Sequence, residues 1–166
     1  TILGTWFHEM GHGLMAMLLG AEFRQLEIFP NGSGIATHTG NVAFGSLGLA
    51  MVAAAGPMGP PIAGAAFLRT AKHRNAAKFM LLTFGALLIA SVLIWVRSGI
   101  GLIVSLAIGI LVILIGTRET GRLQKLTLQI LGVQACISTF RDFDYLFTSG
   151  GQIGGEQFSS DTTVIS

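Results

Sequence analysis

Charge is scarce in this chain. Asp and Glu number 8 and Lys and Arg 10, together 11% of 166 residues, against 51% hydrophobic residues and a mean hydropathy of +0.69. Soluble domains carry roughly a quarter charged residues, so this poverty excludes one and indicates an integral membrane protein, a single domain of several spans. The net charge of +2 is too small for a nucleic-acid footprint, and no nucleic acid is expected as a partner. Cys136 is the only cysteine, which excludes an intrachain disulfide and a cysteine-based metal site; it reads as a small buried hydrophobe. The first residue is Thr1 rather than methionine, and the domain over residues 1–166 is expected to be truncated at both ends.

Against this apolar background the stretch 7–13, FHEMGHG, stands out, with His8 and His12 four residues apart and Glu9 beside the first. Positions i and i+4 share a helix face, so both imidazoles can reach one Zn2+ at about 2.0–2.1 Å. A carboxylate there can take a proton from water whose pKa zinc lowers to about 7, and pass it to a leaving amine. H-E-x-x-H on a helix is the zinc-peptidase pattern. Read instead as chance polar residues in a packing helix, the cluster has no compensation for burying ionisable groups in apolar surroundings. Catalytic zinc takes three protein ligands and leaves a position for water, so one ligand must come from elsewhere.

Residues 1–19 form the first expected span, stopped by Gly20. Gly4 and Gly11 share a face that another helix backbone can approach closely. Residues 21–41 mix charge with apolar side chains around the turn Pro30-Asn31-Gly32, which predicts a hairpin with arms at 23–29 and 33–39. His38, without a partner at metal spacing, reads as a surface histidine. Residues 42–68 exceed the roughly 20 a bilayer needs, and Gly56-Pro57-Met58-Gly59-Pro60-Pro61 predicts a kink or partial unwinding. A basic loop holding Arg69, Lys72, His73, Arg74 and Lys78 follows. The remaining spans are expected at 79–96, 100–116 and from 126 onward, with Arg118, Arg122 and Lys125 in a polar connection at 117–125. Those two connections hold seven of the 10 Lys and Arg residues, which puts them and the N-terminus in the cytoplasm by the positive-inside rule.

Among the remaining acids Asp142 stands out. Thr127, Gln134, Ser138 and Asp142 draw a polar stripe along one face of the last span, and such a stripe faces protein or water rather than lipid. Asp144 lies about 200° round the helix from that face and suits a pair with Arg141. Asp161, after Ser159 and Ser160, suits either a ligand or a helix cap.

Together these residues resemble the site-2 protease family of intramembrane zinc metalloproteases, in a compact branch with FxHExGHG near the start. The matching stretches are FHEMGHG, FPNGSG in the hairpin turn, the Gly-Pro-interrupted second span, and VQACISTFRDFDYLF followed by FSSDTTVIS. The resemblance covers nearly the whole chain. It implies peptide-bond hydrolysis within or beside the bilayer, with Zn2+ on His8, His12 and an aspartate and Glu9 as the base. The Asn-Pro-rich motif ending LDG that carries the aspartate in better-known members is missing, so the resemblance does not choose between Asp142 and the runner-up Asp161.

The expected fold is therefore all-α, a transmembrane bundle of about five spans with a short β-hairpin after the first helix. Its partners are the lipid bilayer and a membrane protein or peptide, entering as extended backbone along the hairpin edge at Ile35 and Thr37. A non-catalytic regulator or scaffold would have no need of Glu9. A metal-ion transporter lined by His8, Glu9, His12 and Asp142 would more often show repeated halves, and none is present.

Overall fold

The Thr1 hydroxyl accepts the Gly4 amide at 3.3 Å and so caps the first helix, α1, Ile2–Leu18. Gly20, at φ +88°, turns the chain out of it, a conformation that glycine adopts without a Cβ penalty. The computed structural model describes residues 1–118, 120–146, 151–153 and 156–158, with side chains described through residue 139 apart from 119. After α1 come β1 (Glu22–Ile28) and β2 (Gly34–Thr39), then α2 (Ser46–Thr70), α3 (Arg74–Ile94), α4 (Gly99–Thr117) and α5 (Gly121–Leu146). A second hairpin follows, with β3 (Gly151–Ile153) and β4 (Glu156–Phe158) paired antiparallel.

The fold is mostly helical, with the hairpin where it was expected. Among the described residues three helices, α2, α3 and α4, are long and apolar enough to cross a membrane. The other two differ for separate reasons. α1 has 17 residues, short of the roughly 20 that spanning takes. α5 has the length but carries Arg122, Lys125, Arg141, Asp142 and Asp144.

α2 stays helical through Gly56–Pro61, against the expected unwinding, with Pro57, Pro60 and Pro61 inside it. Proline's fixed φ of about −65° is itself helical; each proline removes a backbone donor and crowds the preceding turn, and α2 continues through all three. The basic loop is also shorter than its composition suggested. Arg69 belongs to the last turn of α2 and Arg74 and Lys78 to the first turns of α3, while Arg122 and Lys125 lie in α5. Lys and Arg are good helix formers whose long stems let the charge leave the apolar surface.

α1 packs on α2, α2 on α5, and α3 on α4. An aromatic cluster joins α1, α2 and α3: the Phe7 ring stacks on Phe84 with centroids 5.4 Å apart, and Phe67 meets Phe84 edge-on at 5.0 Å. Trp6 Nε1–H donates to Ser91 Oγ at 2.9 Å, and that hydroxyl donates to the Leu88 carbonyl at 2.7 Å, so the buried indole is satisfied. Removing either partner would strand a buried polar atom.

The hairpin is fixed to both ends of this core. Its buried face presents Phe23, Leu26 and Ile28, and Phe23 stacks on Trp95 at 5.1 Å. The turn closes through Asn31, whose Oδ1 accepts from the Ser33 amide at 3.0 Å, with Gly32 at φ +85°. Leu26 donates to the Trp95 carbonyl at 2.9 Å and accepts from the Arg97 amide at 3.0 Å, and Ile28 donates to Ser98 Oγ at 2.8 Å. The outer edge of β1 is thereby closed by the connection between α3 and α4.

Candidate metal centre

α1 carries His8, Glu9 and His12 on successive turns, and the first two are 8% exposed. The imidazoles of His8 and His12 meet edge-on, with centroids 4.8 Å apart and planes at 70°. Two rings that close on one helix face can serve a single ion without backbone movement.

α2 engages one nitrogen of His12. His12 Nδ1 lies 2.8 Å from the carbonyl oxygen of Val52. A carbonyl can only accept, so Nδ1 is the donor in this contact, the kind of orienting hydrogen bond that a metal-ligating imidazole makes through its other nitrogen. This contact exists because the two backbones come very close. A Cβ on Gly11 would fall on the Ala55 carbonyl, and a Cβ on Gly56 would fall on the His12 ring itself. The expected glycine face of α1 is thus real but serves two neighbours. Gly11 meets α2, whereas Gly4 meets α5, where its Cβ would stand 2.6 Å from that of Ser138.

Ser138 is buried, and its hydroxyl donates to the Ala135 carbonyl at 2.7 Å. The rest of the expected stripe is less enclosed. Gln134 is exposed and, with Thr1, Gln129, Ile130, Val133 and Ile137, lines an open groove of about 560 Å³ along α5. Cys136 is only partly buried, and its Sγ packs against α2 at Gly64. Asp142 and Asp144 lie in the last turns of α5, but their side chains, and Asp161 altogether, fall outside the described residues. Among the described residues no group of three or more His, Cys, Asp or Glu is placed to hold a metal.

Glu9 meets the hairpin. A Cβ on Gly34 would stand 2.7 Å from Glu9 Cγ and 2.6 Å from Thr5 Cγ2, so only glycine lets β2 run this close to the motif. Thr5 Oγ1 adds a hydrogen bond to the Gly32 carbonyl.

The strand register decides which β2 groups are turned outward. Leu26 and Ile28 spend their backbone groups on residues 95–98, away from β2. Directly opposed residues of an antiparallel pair face the same way, so their partners Ala36 and Gly34 also turn outward. Ile35 and Thr37 oppose Glu27 and Gln25 and direct their N–H and C=O groups into the ladder. The edge expected at Ile35 and Thr37 is therefore presented by the backbone of Gly34 and Ala36. Among the described residues no strand covers that edge. His38, partly buried, pairs with Phe23 and belongs to no group of three or more potential metal ligands among the described residues.

Sequence reasoning missed the Val52 carbonyl. A backbone acceptor leaves no mark in a sequence, and Gly56 was visible only as part of the Gly-Pro break. A family model described as Peptidase M50B-like matches the chain over residues 1–166. No curated protein and no solved structure matches it.

Proposed function

The chain belongs to the Peptidase M50B-like family, and on that premise we propose that it is an intramembrane zinc metalloendopeptidase that hydrolyses peptide bonds within or beside the bilayer. Its three long apolar helices and its family associate it with a membrane. The observation that carries the reading is the His12 Nδ1–H to Val52 carbonyl hydrogen bond, which orients that ring beside the His8 ring on one face of α1. Two imidazoles one helical turn apart on one face fit zinc.

His8, His12 and Asp142 would hold the ion, with Asp161 as the competing third ligand. When bound, zinc supplies Lewis acidity, acidifying a water and polarising the scissile carbonyl. Asp142 is favoured by direction and register. α1 and α5 both run antiparallel to α2, and Gly4 of α1 meets Ser138 of α5 one turn before each chain reaches its candidate ligand.

Glu9 is the general base. It takes a proton from the attacking water and returns it to the leaving amine. Its buried position keeps bulk water from competing for that proton, and Gly34 brings the hairpin to within contact of it. A substrate segment laid on the outward groups of Gly34 and Ala36 would be held extended, with its amide bonds released from their own helix and offered to the site.

The test is metal content. Purified protein should hold about one zinc per chain, and His8→Ala or His12→Ala should each remove it. Undiminished zinc in both variants rules the site out.

A further inference from the structure

The two short connections on the basic side of the molecule come together in space. A Cβ on Gly121, at the start of α5, would stand 2.9 Å from Cδ of Arg74, at the start of α3, so the α2–α3 and α4–α5 turns are neighbours. Arg69, Lys72, Lys78, Arg118 and Arg122 are exposed around this point, and Lys125 is half-buried. Glu119 is the only acid in either connection. Among the described residues no acid pairs with these six cations, whereas Arg74 has an interaction of its own.

The two other Lys or Arg side chains among the described residues have partners. Arg24 on β1 pairs with Glu22, and the Arg97 guanidinium donates to the carbonyls of Val96 and Ile94. Exposed apolar side chains, common along the helices, are here set among cations. Phe79 beside Lys78 is 70% exposed, Leu114 52%, Leu123 beside Arg122 41%, and Leu126 beside Lys125 51%. A free anion has no use for these; an amphiphile does. Long basic side chains can carry their charge to a headgroup while their stems and the adjacent rings lie along acyl chains.

We propose that this end of the bundle binds anionic phospholipid, with the phosphate-bearing headgroup held by Lys72, Lys78 and Arg122 and the acyl chains lying against Phe79 and Leu123. The site is separate from the zinc motif and requires only that the protein sit in a membrane.

The experiment follows the thermal unfolding midpoint of the detergent-purified full chain during titration with phosphatidylglycerol, phosphatidylcholine or sodium phosphate. Phosphatidylglycerol should raise the midpoint at concentrations where the other two do not. Each of Lys72→Gln, Lys78→Gln and Arg122→Gln should weaken the half-saturating concentration by about fivefold, while Arg24→Gln leaves it unchanged. The three substitutions lie at exposed positions, so each variant is expected to fold. An equal rise with phosphatidylcholine, an equal rise with phosphate alone, or an unchanged midpoint response in all three single variants overturns the proposal.

Discussion

Two helix pairs in this molecule are joined by the same device and put to different use. Between α3 and α4, a Cβ on Gly85 would stand 2.9 Å from the Gly109 carbonyl, and one on Gly109 would stand 3.2 Å from the Gly85 carbonyl. Between α1 and α2, Gly11 meets the Ala55 carbonyl and Gly56 meets the His12 ring. Glycines let backbones approach in both cases. The first contact holds only backbone and aliphatic side chains such as Ile113 and Leu88. The second holds an imidazole whose proton is fixed by a carbonyl of the opposing helix. Close packing is thus a stability device in one pair, and in the other it also orients a proposed ligand.

The comparison is tested hardest on the α1 side by the third ligand. Asp142→Ala should lose zinc and proteolysis together, while Asp144→Ala, on the opposite face of α5, should keep both; elemental analysis and cleavage of a membrane substrate read this directly. Retention of zinc by Asp142→Ala would shift the assignment to Asp161 without touching the α1–α2 contact.

A direct contrast comes from matched glycines. Gly56→Ala should weaken zinc binding by about 10–100-fold, the usual effect of losing a hydrogen-bond partner behind a metal ligand. Gly85→Ala should instead lower stability by about 1–3 kcal/mol, as overpacking does, with unchanged zinc affinity in the folded fraction. Chelator competition and denaturant titration on both variants separate the two. Equal effects on zinc would mean that the pairs are not different in kind.

The smallest expected effect lies on the hairpin. Ala36→Pro removes an outward donor and should slow cleavage of a membrane substrate while zinc content stays the same. Thr37→Pro removes a ladder donor and should instead show up as loosened hairpin structure, measured by amide exchange of β1.

Much of the fold is written in patterns of side chains. The zinc motif, the apolar runs and the Asn-Gly turn each have a side-chain signature, and α1, the first hairpin and the helices fall where those signatures lie. What escaped has none. Pro57 and Pro60 looked like breakers because proline lacks a donor, yet their backbone angle suits a helix and α2 stays wound. Arg74 and Lys78 looked like loop because they are charged, yet they begin a helix whose end can lie in water or among headgroups. The parity of β2 turned on which face of β1 was already taken by residues 95–98, a tertiary fact invisible to alternation alone. β3 and β4, at three residues each, are too short for any period to show. Membership of the family supports the zinc reading, while the Val52 carbonyl supplies a physical reason for His12 that no motif contains.

The central claim is that Glu9 performs the proton transfer in a zinc site built on α1. Its most direct test is Glu9→Gln, which keeps the shape of the side chain and removes its basicity. Zinc content and unfolding midpoint should equal those of the wild type, and turnover of a membrane substrate should fall by about 10²–10⁴-fold or more. Wild-type turnover by this variant, with zinc retained, would contradict the account.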